Sequence, residues 1–95
     1  MNRAKGLIGL ARKAGYVIIG KENLVGYTKK LYLLIVDKAA GGSLLREMKF
    51  FSENRNLPIL EVENLADLVG IANCKAIGLK NKAMSESIEK CVKGE

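Results

Sequence analysis

Apolar positions along this chain change period several times, and each change marks an element. Leu7, Ile8, Leu10, Ala11 and Ala14 recur at helical spacing over residues 4–14, and Gly15 follows as a stop. Gly6 and Gly9 each weaken that helix by about 1 kcal/mol relative to alanine. Close packing of their face on a sheet is the expected reason for keeping them. Tyr16-Val17-Ile18-Ile19 reads as a short strand. A second helix begins near Glu22, with Leu24, Val25, Thr28 and Leu31 on one side. It must be brief, because Tyr32-Leu33-Leu34-Ile35-Val36 is already an unbroken apolar run. A strand without alternation is covered on both faces and belongs in the middle of a helix–sheet–helix arrangement.

The second half repeats the alternation. Residues 37–43 (DKAAGGS) read as a loop, and Ser43 as the N-cap of a helix that turns Leu44, Leu45, Met48 and Phe51 inward and ends near Asn56. Leu57 is pushed extended by Pro58, and residues 59–62 form the third strand. Asn64 is placed to cap a helix carrying Leu65, Leu68, Val69 and Ala72, and Asn73 suits a left-handed stop. Residues 76–79 make the fourth strand, and Met84, Ile88, Cys91 and Val92 define a last helix. Glu86 and Glu89 stand four residues before Lys90 and Lys93, a spacing that supports that helix. Helix and strand alternate without repeat or linker, which predicts one α/β domain over residues 1–95 with five helices and four strands.

Composition narrows the function classes. At 48% hydrophobic and 27% charged, the chain is globular in character. No apolar run approaches the ~18 residues of a membrane span, and the N-terminus has no signal-peptide core, so a cytoplasmic protein is expected. There is no histidine, which excludes a Ser-His or Cys-His nucleophile. Cys74 and Cys91 match no zinc spacing, so no metal and no cofactor is expected, and both thiols read as small core residues. Glu61 and Glu63 flank an inward Val62 and so face solvent; no acid/base pair is visible, and an enzyme is not expected. The DKAAGGS loop lacks the spacing of a phosphate-binding loop.

Charge is unevenly placed. The formal net charge is +6, and residues 1–30 hold seven bases against the single acid Glu22, while bases and acids balance over residues 31–95. A basic segment on a neutral domain suits a polyanion, nucleic acid first and an anionic membrane surface second; it also suits a merely solvated face. Within it lies Gly20-Lys21-Glu22-Asn23, where a strand hands over to a helix. These residues either cap the helix or present N–H groups and Lys21 to phosphates and the Asn23 amide to base edges.

Five stretches in order, LIGLARKAG, VIIGKENLV, LYLLIVDKA, NLPILEVENLADL and KAIGLKNKAMSESI, give the chain a wider likeness. It resembles the kink-turn-binding ribosomal protein family, the superfamily of archaeal L-seven-Ae and L-thirty-e, and most of all its small bacterial YlxQ-type members. The resemblance implies a three-layer α/β/α sandwich around a four-stranded mixed sheet. It also implies a ribonucleoprotein role on structured, kink-turn-like or ribosomal RNA. By position, RNA contacts fall on Gly20, Lys21, Glu22 and Asn23 at the helix start, and on Asn73, Cys74 and Lys75 before the last strand. Arg12, Lys13 and Lys29 would form a supporting basic face. Gly26 stands where the family usually has a lysine, and the loop before the last strand is shorter than usual, so generic RNA binding is expected over tight kink-turn recognition. Family members lacking the RNA-gripping residues serve as protein–protein adaptors, which is the alternative.

Overall fold

The structure, a computed structural model, describes residues 2–94. Chain order is α1 (Asn2–Lys13), β1 (Val17–Ile19), α2 (Lys21–Gly26), β2 (Leu33–Asp37), α3 (Gly42–Arg55), β3 (Ile59–Val62), α4 (Leu65–Val69), β4 (Ala76–Leu79) and α5 (Lys82–Gly94). The strands form one sheet ordered β1-β4-β2-β3. β4 runs antiparallel to both β1 and β2, while β3 runs parallel to β2, so the sheet is mixed.

Strand alternation sorts the apolar side chains into two cores. Leu33, Ile35, Leu60, Val62, Ile77 and Leu79 pack with Ile8, Leu65, Leu68 and Ile88, under α1, α4 and α5. Leu34, Val36 and Ala76 pack with Leu24, Met48 and Phe51, under α2 and α3. This is the three-layer α/β/α sandwich expected from the sequence. All five residues of β2 are buried, as a strand covered on both faces requires. On the α2 side, β4 carries a glycine for a steric reason. A methyl group on Gly78 would lie 2.5 Å from Leu24 Cδ2 and 3.4 Å from both Leu31 methyls.

Several local expectations need correction. In α1 the buried residues are Ala4, Ile8 and Ala11, whereas Leu10 is 60% exposed and Ala14 faces solvent. Gly6 and Gly9 are not there for close packing, since a Cβ at either would meet nothing within 4 Å. In α2 only Leu24 is buried; Val25 is exposed, and Thr28 and Leu31 fall after the helix, although Leu31 still enters the core. Gly41, not Ser43, precedes the first turn of α3. Asn64 precedes α4 in a left-handed conformation (φ 58°) with no side-chain cap. That helix stops at Val69 with Gly70 as its C-cap, so Ala72 lies outside it and the left-handed Asn73 belongs to a separate turn. Asn81 supplies a cap the pattern did not reveal, its Oδ1 accepting the Met84 N–H at 2.9 Å. Cys74 is a core thiol as expected, while Cys91 is only half-buried.

Candidate nucleic-acid interface

Gly20 is fixed by backbone geometry. Its φ of 91° and ψ of 147° lie in a region that side-chain-bearing residues avoid. That conformation lets one residue end β1 and precede α2, while its N–H donates to Ala76 O at 3.0 Å. The bond also joins two sequence regions. Because β4 lies beside β1, with Ile19 opposite Ile77, the segment leading into β4 arrives next to Gly20. Residues 20–23 and 73–75, about fifty positions apart in the chain, therefore lie at the same end of the sheet.

Each candidate side chain there has a definite setting. Lys21 Nζ lies 3.2 and 3.1 Å from the two carboxylate oxygens of Glu47 on α3. Glu22 is exposed. Asn23 is not a cap: its Nδ2 donates back to Ile19 O at 2.8 Å, which ties the side chain to the strand end. A primary amide has two N–H donors and an acceptor oxygen, so one N–H and Oδ1 remain for an outside partner. Asn73 is exposed in the left-handed region, φ 62°. Cys74 turns inward, with its thiol packed in the core and directed at Ala76 O, 3.8 Å away. Burial pushes that thiol's pKa up. An apolar thiol gains more from the core than from solvent, so of this segment only Asn73 and Lys75 offer side chains to a ligand.

Lys75 is held by a group that sequence reading missed. Its Nζ lies 3.8 Å from Asp37 Oδ2. The sequence places Asp37 at the start of a loop, whereas it ends β2 and is buried. Its Oδ1 accepts the Ala39 N–H at 2.7 Å, and its Oδ2 accepts the Leu65 N–H at 3.0 Å. The hydrogen bond from Ala39, with help from the Leu65 N–H and the positive charge of Lys75, holds this carboxyl below its ordinary pKa in spite of burial. Asp37 thus caps α4 from across the domain. An acid closing a wholly apolar strand was the available signal.

The supporting basic face is not at this end. Arg12 Nη1 donates to Val69 O at 3.2 Å and so completes the end of α4. Lys13 ends α1, shortly before β1 starts, and Lys29 lies in the connection after α2. Both stand at the opposite end of β1 from Gly20, roughly 10 Å away for a three-residue strand. A shallow groove of about 460 Å³ runs between β1 and α2, from Glu22 and Asn23 to Gly26 and Tyr27, and links the two ends. Among the described residues no group of three or more acids and cysteines could hold a metal ion, and no helix is long and apolar enough to cross a membrane.

Comparison with solved structures finds the same fold in a protein of unknown function from Bacillus halodurans. The TM-score is 0.87 at 22% identity, over 95% of this chain and 96% of that one. No protein-family model and no curated protein matches the sequence.

Proposed function

We propose that this chain is a non-enzymatic, cytoplasmic RNA-binding protein of the kink-turn-binding ribosomal protein family, acting on structured or ribosomal RNA. The observation that carries this reading is that residues 20–23 and residues 73–75 lie at the same end of the sheet, tied there by the Gly20–Ala76 hydrogen bond. A glycine at the junction lets a nucleic-acid backbone come close. The second amide N–H of Asn23 and its Oδ1 form the donor–acceptor pair that reads an adenine edge. Lys21 and Lys75 flank it as phosphate partners. Exchanging Glu47 for a phosphate costs Lys21 little, because an exposed ion pair of this kind contributes at most about 1 kcal/mol. Charge at this end is largely neutralised within the protein, so preference rests on shape and base edges rather than on bulk attraction.

A gel-shift panel of a kink-turn RNA, a plain duplex and a single strand, at two salt concentrations, tests the reading. The kink-turn RNA should bind best. Asn23→Ala should cost about 1–3 kcal/mol on that RNA alone, whereas Lys21→Ala should weaken all structured RNAs alike. Equal binding of the kink-turn RNA and the plain duplex, or a preference indifferent to Asn23→Ala, would refute it. One feature favours the adaptor alternative: Leu10 is exposed in a groove of about 710 Å³ between α1 and α5. A protein complex that survives nuclease treatment and is broken by Leu10→Asp would support that reading instead.

A further inference from the structure

The end of the sheet opposite Gly20 gathers a different set of residues. Tyr16 O accepts the Lys80 N–H at 2.7 Å, and the Tyr32 N–H donates to Leu79 O at 2.9 Å, so both tyrosines flank the end of β4. Tyr27 follows α2 at the same end, with Lys80 Nζ 5.7 Å from its ring centre. Arg55 Nη1 donates to Tyr27 O at 2.8 Å, and Lys30 Nζ lies 5.4 Å from the Tyr32 ring. The chain has three tyrosines, and all of them are here. None is buried, and Tyr16 is 38% exposed.

Five of the cations at this end stand without an acid. Lys5, Lys21, Lys49, Lys75 and Lys93 each have a carboxylate within 4.0 Å. Among the described residues, Lys29, Lys30, Arg55, Lys80 and Lys82 have none, which is true also of Arg12, Lys13, Lys38, Arg46 and Lys90, but only at this end do unpaired cations gather beside tyrosines. Grouping like charges without acids is unfavourable for the isolated protein. A solvated rim would not need the concentration of tyrosines. Partly exposed rings beside unpaired cations are what unstacked bases and their phosphates require.

We infer that this end of the sheet is a second RNA contact, one that takes a single-stranded segment. The inference rests on the RNA-binding reading above and extends it. A structured element sits at Gly20 and Asn23, and its flanking strand follows the β1–α2 groove to Tyr27, Tyr16 and the lysines. The division of labour follows from the charges: the neutralised end selects, and the unpaired end supplies phosphate contacts.

The test uses the full chain with three RNAs: a kink-turn duplex, the same duplex carrying a single-stranded tail of about ten nucleotides, and an oligouridylate of that length. The tail should tighten binding by roughly ten-fold or more, and the oligouridylate should bind alone. Lys29→Ala with Lys30→Ala should erase the tail's gain and lower the single-strand salt slope by about 0.7 per phosphate lost. Tyr16→Ala should weaken the tailed RNA while Tyr16→Phe, which keeps the ring, should not; the pair controls for folding. A tail without effect, with untailed binding still sensitive to Asn23→Ala, would overturn this inference and leave the proposed function standing. Tail and oligouridylate binding through the lysines, with no preference for the kink-turn, would do the reverse. Binding to phosphatidylserine vesicles but not to oligouridylate would assign the patch to a membrane surface and overturn the inference.

Discussion

Asp37 shows how much one side chain can organise. It ends β2, caps α4 through the Leu65 N–H, closes the turn at Ala39 and anchors Lys75. Its folded-state pKa is lowered, so it contributes stability that is present above the unfolded value of about 3.9 and is lost as pH falls through the folded one. Thermal midpoints of the wild type should therefore fall below about pH 4, and Asp37→Asn should flatten that part of the profile. At neutral pH the same substitution should cost about 2 kcal/mol, since a hydrogen-bonded charge is replaced by an amide that must turn an N–H toward one of two donors. A profile identical to wild type would mean that another carboxylate governs acid unfolding. Sequence alone did not reveal this role. The acid follows five apolar residues and precedes a glycine-rich turn, and its partners at residues 65 and 75 come near only through the fold.

Elements were legible where hydrophobic period decides them, and illegible where caps and contacts do. All five helices and four strands are present in the expected order, because two cores of buried side chains leave little freedom of register, although the stripes of α2 and α4 run past the ends of their helices. The ends fared worse. Ser43 lost its capping place to Gly41, and α4 stopped short of Ala72, because helix ends answer to local backbone geometry as much as to residue type. The candidate site divides in the same way. Gly20 to Asn23 were readable as a junction and Cys74 as a core thiol, yet the placing of Lys13 and Lys29 at the far end of β1 depends on the fold. Helix α5 offers a test at this scale. Its first turn has no acid and carries Lys82, a cation opposing the helix dipole. Lys82→Glu should raise stability by about 0.3–1 kcal/mol while weakening oligouridylate binding. Denaturant midpoint and affinity on one protein decide it: a midpoint that falls would show that Lys82 stabilises the native fold.

For the whole molecule, the two ends of the sheet carry unlike chemistry on one rigid frame. The proposed RNA would span both, with β1, an edge strand, as the rail between them. That same strand order has a bearing on how the protein is made. β4 is the keystone between β1 and β2, and neither of those strands pairs with the other. A growing chain therefore cannot close its sheet until residue 79 is synthesised, and β1 waits without a partner through some sixty intervening residues. Folding should be late and concerted rather than progressive. In pulsed hydrogen exchange during refolding, amides of β1 should gain protection together with those of β4, and not with the earlier β2–β3 pair. Protection of β1 ahead of β4 would show that α1 and α2 hold the first strand by themselves. A nascent chain with this topology has its most exposed strand longest in need of cover, which makes the α1 and α2 helices flanking β1 its natural guard.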